Sequence, residues 1–126
     1  MVNGDTLFDI DYNELIKSTK NDKIGSIALV KNLKQKSNQL ETLSIKKGLI
    51  KYENKGNFMN GGVYFFKRKF LNSIKNKKIS LESDILPNTI NQNKINEKIF
   101  NNFFIDIGSK ETLKIASKEI KKNFSK

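Results

Sequence analysis

The sequence predicts an α/β fold whose sheet is parallel in part. Three observations carry that reading. A run of mostly apolar, β-favouring residues at 24–30 (IGSIALV) has the composition of a strand buried on both faces. A second such run (VYFF) follows a pair of glycines at 61–62. Between and after these lie short segments with apolar residues at helical spacing. The last has Leu113, Ala116, Ile120 and Phe124 on one stripe, at intervals of three, four and four. Strands alternating with helices argue for an α/β architecture, and 126 residues allow one domain or part of one.

Taken in order, residues 1–5 (MVNGD) read as the end of a strand running into a turn. A helix is expected over 11–20, capped by Asp11, with Glu14 three residues on and Leu15 and Ile16 as its apolar patch. The alternation at 40–45 sets Leu43 and Ile45 on one face of a strand. Lys47-Gly48 then turns the chain into a second strand at 49–52, making a hairpin. Residues 67–74 form a short helix with Phe70, Leu71 and Ile74 at near-helical spacing. Ser80 can cap another, continuing past Pro87 only if that proline lies in a first turn or a kink. The Asn-rich stretch 88–96 reads as loop or helix end, and 98–107 (KIFNNFFIDI) as one strand ending near Asp106. Ser109 caps the C-terminal helix.

The chain has no Cys and no His. This excludes disulfides, thiol nucleophiles, zinc ribbons, imidazole-ligated metals and Ser-His-Asp chemistry. Catalysis would rest on carboxylates, lysines, backbone amides and a hard, oxygen-loving cation such as magnesium. No apolar run is long enough to span a bilayer and no secretory leader is visible, so the expected compartment is the cytoplasm and no membrane partner is implied. The formal charge of +11 invites a nucleic-acid partner. However, every basic residue except Arg68 is a lysine, and they are scattered along the chain rather than clustered. A lysine-coated surface, with at most a field that attracts anions, is the plainer reading, and no nucleic-acid partner is expected.

Three places can carry chemistry. Asn3-Gly4-Asp5-Thr6 delivers a carboxylate in a turn just past a strand end, where open α/β sheets bind ligands, although Asp5 can also be a simple turn former. Asp106 lies within an apolar run, where a carboxylate needs a partner or a metal unless it faces solvent. Asn60-Gly61-Gly62 offers backbone that a ligand can approach closely, or a tight turn or bulge before a strand. Two carboxylates at strand ends can share one magnesium ion, which would suit phosphoryl or nucleotidyl transfer.

Five segments occur in a familiar order: NGDTLFDID (3–11), KYENK (51–55), MNGGVYFF (59–66), SLESDILP (80–87) and FFIDIGSKE (103–111). Together they resemble the second half of the sugar-phosphate nucleotidyltransferase family, over nearly the whole chain. The nearest likeness is to the branch that makes nucleotide-activated heptose or mannose. The resemblance implies a Rossmann-like nucleotidyltransferase fold, a mixed sheet with flanking helices, of which 1–126 is the C-terminal portion. It implies attack of a sugar 1-phosphate on the α-phosphate of a nucleoside triphosphate, GTP in this branch, with release of pyrophosphate for nucleotide-sugar supply to surface polysaccharide. Asp5 and Asp106 match the family's metal-binding aspartates, with Mg2+ as cofactor, and Asn3 and Gly4 complete the first motif. Asn60 and Gly61 match the segment lining the sugar pocket. Lys55 matches the lysine of a Glu-Lys pair near the sugar phosphate, and Glu82 belongs to the pocket rim or a helix start.

Two departures from the family pattern stand out. Asn54 replaces the glutamate of the Glu-Lys pair, with Glu53 one position early. The family's Gly-rich triphosphate loop with its Arg, and the Pro-Lys segment after it, have no counterpart here. The expectation is therefore a chain inactive alone, completed by a separate N-terminal half or acting within a homo-oligomer. The alternative, from a different class, is a basic, non-enzymatic module binding nucleic acid or acidic surfaces.

Overall fold

In chain order the elements are β1 (Thr6–Phe8), α1 (Tyr12–Lys17), β2 (Gly25–Lys31), β3 (Thr42–Lys46), β4 (Leu49–Tyr52), β5 (Phe58–Phe66) and α2 (Arg68–Ile74). One π-helical turn (Leu81–Ile85) then leads into α3 (Leu86–Asn91), β6 (Ile95–Ile99), β7 (Phe104–Asp106) and α4 (Lys110–Phe124). These come from a computed structural model that describes residues 1–31, 42–108 and 110–124. Five strands form one sheet in the order β4-β3-β5-β2-β6, and β1 and β7 form a separate antiparallel ribbon. Within the sheet β2 runs antiparallel to β5 and parallel to β6. The mixed sheet follows from connectivity: β5 reaches β6 through the helical segment α2 to α3, while β3 and β4 are a hairpin.

Both faces of the sheet are covered, which is why the β2 run lacks a polar face. Ile27, Leu29, Leu43, Tyr64 and Phe66 pack on one side with Leu86, Ile90 and Ile95, and Phe70 of α2 rests against them. Ala28 and Val63 face the other side, where Phe8, Leu15 and Phe100 meet them. The ribbon is held to this second core by Phe8, whose ring makes edge contacts with Phe100 and Phe104. Buried Asn96 is satisfied: it accepts the Lys20 N–H at 3.0 Å and donates to the Ser18 carbonyl at 3.2 Å.

Several sequence expectations hold in detail. Asp11 caps α1 by accepting the Asn13 N–H at 2.8 Å. Lys47 and Gly48, both at positive φ, make the two-residue hairpin turn. Ser80 accepts the Ser83 N–H at 3.2 Å, and the reciprocal bond comes from Asp84, which accepts the Ser80 N–H at 2.8 Å. The wider π-helical turn is what brings residue 84 round to that place, and Pro87 falls in the first turn of α3.

Others are corrected. Helix α1 stops at Lys17 because the Ser18 and Thr19 hydroxyls bond back to the Leu15 carbonyl, and Ile16 is exposed. The glycines at 61–62 lie inside a longer strand rather than before it. There the register jumps from Ile27 opposite Tyr64 to Leu29 opposite Asn60, so Ala28 spans a bulge. The 98–107 segment is two strands in different sheets, broken at Asn101-Asn102, and the first of them already begins at Ile95. In α4 only Ala116 of the expected stripe is fully buried. Leu113 is 55% exposed, while Phe124 is covered only in part, by an edge contact with Phe103. The expected Ser109 cap and the start of the 40–45 strand lie outside the described residues. Among the described residues no helix is long and apolar enough to cross a membrane.

Candidate active site

The bulge in β5 starts the site. Gly62 adopts φ +73, and a Cβ there would sit 2.6 Å from Thr6 Oγ1 and 3.2 Å from the Asn3 side chain. Only glycine lets residues 1–3 and the start of β1 lie this close. Segment and strand are then tied together: Asn3 N–H donates to the Gly62 carbonyl at 2.8 Å, Tyr64 N–H to that of Met1 at 2.9 Å, and Val2 bridges Val63. Asn60 accepts the Gly62 N–H at 2.9 Å and donates from Nδ2 to the Tyr64 hydroxyl at 2.7 Å.

Beside this segment lies a cleft of about 500 Å³. Its walls are Asn3, Asp5 and Thr6 from the first segment, Tyr52 from β4, Asn60 from β5, and Asp106 from β7. The π-helical turn and α3 close it with Glu82, Ser83, Leu86 and Pro87. The β1–β7 register places Thr6 opposite Asp106, and Ile107 N–H donates to the Asp5 carbonyl at 2.8 Å. The two aspartates are therefore neighbours. A Cβ on Gly108 would lie 3.1 Å from Asp106 Oδ1 and 3.3 Å from Asp5 Oδ2, so both carboxylates border one small space that a glycine leaves open. Gly108 N–H donates to Asp106 Oδ1 at 2.8 Å and orients that carboxylate.

The donor set fits a hard divalent cation completed by other ligands. Two carboxylates supply oxygen and charge, and the described residues contain no group of three or more acidic, His or Cys side chains that would enclose an ion by themselves. Magnesium commonly binds in this way, through one or two carboxylates with waters and substrate phosphates filling the remaining positions.

The other candidate residues divide. Asn3, Asn60 and Glu82 line the cleft with the two aspartates. Gly4 is exposed in the turn, with open space where a Cβ would be. Gly61 is buried, and its missing side chain is explained by packing: a Cβ would come within 2.5 Å of the Phe8 ring and 2.9 Å of the Ala28 carbonyl. Lys55 is exposed at φ 56 in the turn between β4 and β5 and is not part of the cleft wall. Nor is Glu53, whose carboxylate is paired with Lys46 and held below the usual carboxylate range by that hydrogen bond.

Sequence reasoning missed Tyr52, Tyr64 and the space-keeping role of Gly108. Tyr64 is only 2% exposed, and burial pushes its phenol above the ordinary tyrosine range. The nearby charges of Glu82 and Asp5 act in the same direction.

No protein-family model matches the chain. Over 125 residues it is 27% identical to D-glycero-alpha-D-manno-heptose 1-phosphate guanylyltransferase of Aneurinibacillus thermoaerophilus, covering 95% of this chain and 54% of that protein. Among solved structures, HddC from Yersinia pseudotuberculosis superposes with a TM-score of 0.69 at 25% identity, over 94% of this chain and 53% of that one. A Bacillus anthracis protein described as a glucose-1-phosphate thymidylyltransferase, in complex with sucrose, gives a TM-score of 0.70 at 20% identity, over 99% and 55%. The fold is that of the sugar-1-phosphate nucleotidyltransferases. The likeness carried by the five motifs is thus borne out, in fold by the two structures and in sequence by the guanylyltransferase. The chain spans about half the length of the curated relative it matches.

Proposed function

We propose that this chain supplies the metal-binding and sugar-binding side of a nucleotidyltransferase. That enzyme joins a sugar 1-phosphate of the heptose or mannose type to GTP and releases pyrophosphate. The observation that carries the reading is the convergence of Asp5 Oδ2 and Asp106 Oδ1 on the space beside Gly108, at one wall of the cleft that Asn3, Asn60 and Glu82 also line. Asp5 and Asp106 would hold Mg2+, which on binding neutralises phosphate charge that builds up during transfer. Asn3 and Asn60, which line the cleft, would hydrogen-bond hydroxyls of the sugar, and Glu82 would accept from them.

The nucleotide side is expected to come from sequence other than these 126 residues, since no Gly-rich loop with an arginine occurs among them. In nucleotidyltransfer the attacking and leaving oxygens must be held in line, and one half of a site positions only one of them. The test is an assay of the chain with GTP, mannose 1-phosphate or heptose 1-phosphate, and Mg2+, alone and with an added Gly-rich half from a relative. Turnover in the reconstituted enzyme that disappears in Asp5→Ala and Asp106→Ala supports the reading. Full activity in both variants would remove the metal assignment, and turnover by the 126 residues alone would remove the division of labour.

A further inference from the structure

The Asn60 side chain uses both ends of its amide within the protein. Its Oδ1 accepts the Gly62 N–H at 2.9 Å, and its Nδ2 donates to the Tyr64 hydroxyl at 2.7 Å. An amide held at both ends cannot flip, so its remaining N–H and its remaining lone pair point in fixed directions. Asn60 lines the cleft, whereas Tyr64 lies behind it, 2% exposed, its ring stacked against Phe66 at 6.3 Å. The Oδ1 bond is made to the bulge's own backbone. The Nδ2 bond is the one that depends on a second side chain, and a phenylalanine at 64 would fill the same space without making it.

We propose that Tyr64 is a positioning residue which fixes the orientation of the Asn60 amide, and that this fixed amide selects one hydroxyl of the bound sugar. Selection follows because a rigid donor-acceptor pair penalises a ligand that lacks the matching hydroxyl, whereas a free amide would turn to bond something else. The inference rests on the sugar-binding reading above, so its test has one arm that needs no sugar.

In that first arm, the Asn60 side-chain amide is followed by nitrogen–proton NMR, assigned by its loss in Asn60→Asp. In the wild-type chain the Nδ2 proton bonded to Tyr64 should exchange with water at least tenfold more slowly than those of exposed asparagines, whereas the proton left for the ligand need not. In Tyr64→Phe that protection should vanish. Unchanged exchange in Tyr64→Phe overturns the proposal whatever the ligand. In the second arm, mannose 1-phosphate and its monodeoxy analogues are titrated in the presence of Mg2+. The wild type should bind one analogue about tenfold more weakly, the weight of one hydrogen bond. Both Tyr64→Phe and Asn60→Ala should lose that discrimination. Discrimination kept by Tyr64→Phe also overturns the proposal. If the wild type binds no sugar phosphate, the sugar-binding reading fails and selection falls with it, while the exchange arm still decides whether Tyr64 positions Asn60.

Discussion

Thr6 stands opposite Asp106 in the β1–β7 ribbon, and this single pairing brings Asp5 and Asp106 together from opposite ends of the chain. A slip of one residue would turn one carboxylate to the other face, because side chains alternate along a strand. Phe8, packed against Phe100 and Phe104, holds the register.

Gly108 should be intolerant of any side chain for metal binding and tolerant of one for folding. The atoms nearest its Cβ would be those of the two carboxylates, in tight contact at 3.1 and 3.3 Å, at an exposed position where those side chains can give way. Gly108→Ala is expected to keep the wild-type melting temperature while weakening Mn2+ binding, read by paramagnetic relaxation, by about tenfold or more. Equal affinity in the variant would show that the space beside Gly108 is not where the ion sits.

Gly61 should behave the opposite way. A methyl group there would press on the Phe8 ring, which is buried against Phe100 and Phe104, and on the Ala28 carbonyl of the strand backbone. Gly61→Ala is expected to lose about 1–3 kcal/mol of stability, the usual cost of overpacking. Denaturant unfolding measures this, and a loss below about 0.5 kcal/mol would contradict the packing account.

Thr6 Oγ1 is buried without a hydrogen-bond partner beneath Gly62. Replacing an orphaned hydroxyl by a methyl group removes a desolvation penalty, so Thr6→Val should be neutral or stabilising by about 1 kcal/mol. A clear drop in melting temperature would reveal that the hydroxyl has a partner.

Tyr64 carries a phenol whose titration is raised by burial. A group raised in the folded state contributes stability that is complete below its unfolded value, about 10 for tyrosine, and is lost as the pH climbs through the folded value. The stability difference between wild type and Tyr64→Phe should therefore be flat at neutral pH and shift in favour of the variant above about pH 10. Comparing the two proteins cancels the contribution of the lysines. Parallel curves up to pH 11 would place the phenol in contact with water.

What the sequence made legible follows from local chemistry. The Asp11 cap, the Lys47-Gly48 hairpin and the β2 run are each decided by a few neighbouring residues, and each is present. The motif aspartates were legible as candidates because a carboxylate beside apolar strand residues is costly unless it is used. What escaped depends on partners distant in sequence. The start of strand β6 is hidden because Asn96 looks like a loop residue, and only its bonds to Lys20 and Ser18 make it tolerable when buried. Gly61 read as a ligand-approach glycine because nothing local announces that Phe8 lies against it. Lys55 lies in a positive-φ turn and does not line the cleft.

The ribbon also has a consequence for the order of assembly. The hairpin β3–β4 closes across two residues, whereas β1 cannot meet β7 until nearly all the chain between them has been gathered in. Closing so long a loop costs entropy that only the finished sheet, with Phe8 seated on it, returns. In a refolding experiment the carboxylate pair should accordingly be the last part to appear. A fluorescent lanthanide added during refolding should light up after the far-ultraviolet signal of the sheet and helices is complete. The capacity to hold a cation then becomes a report that the whole molecule, and not merely its local parts, has reached its final form.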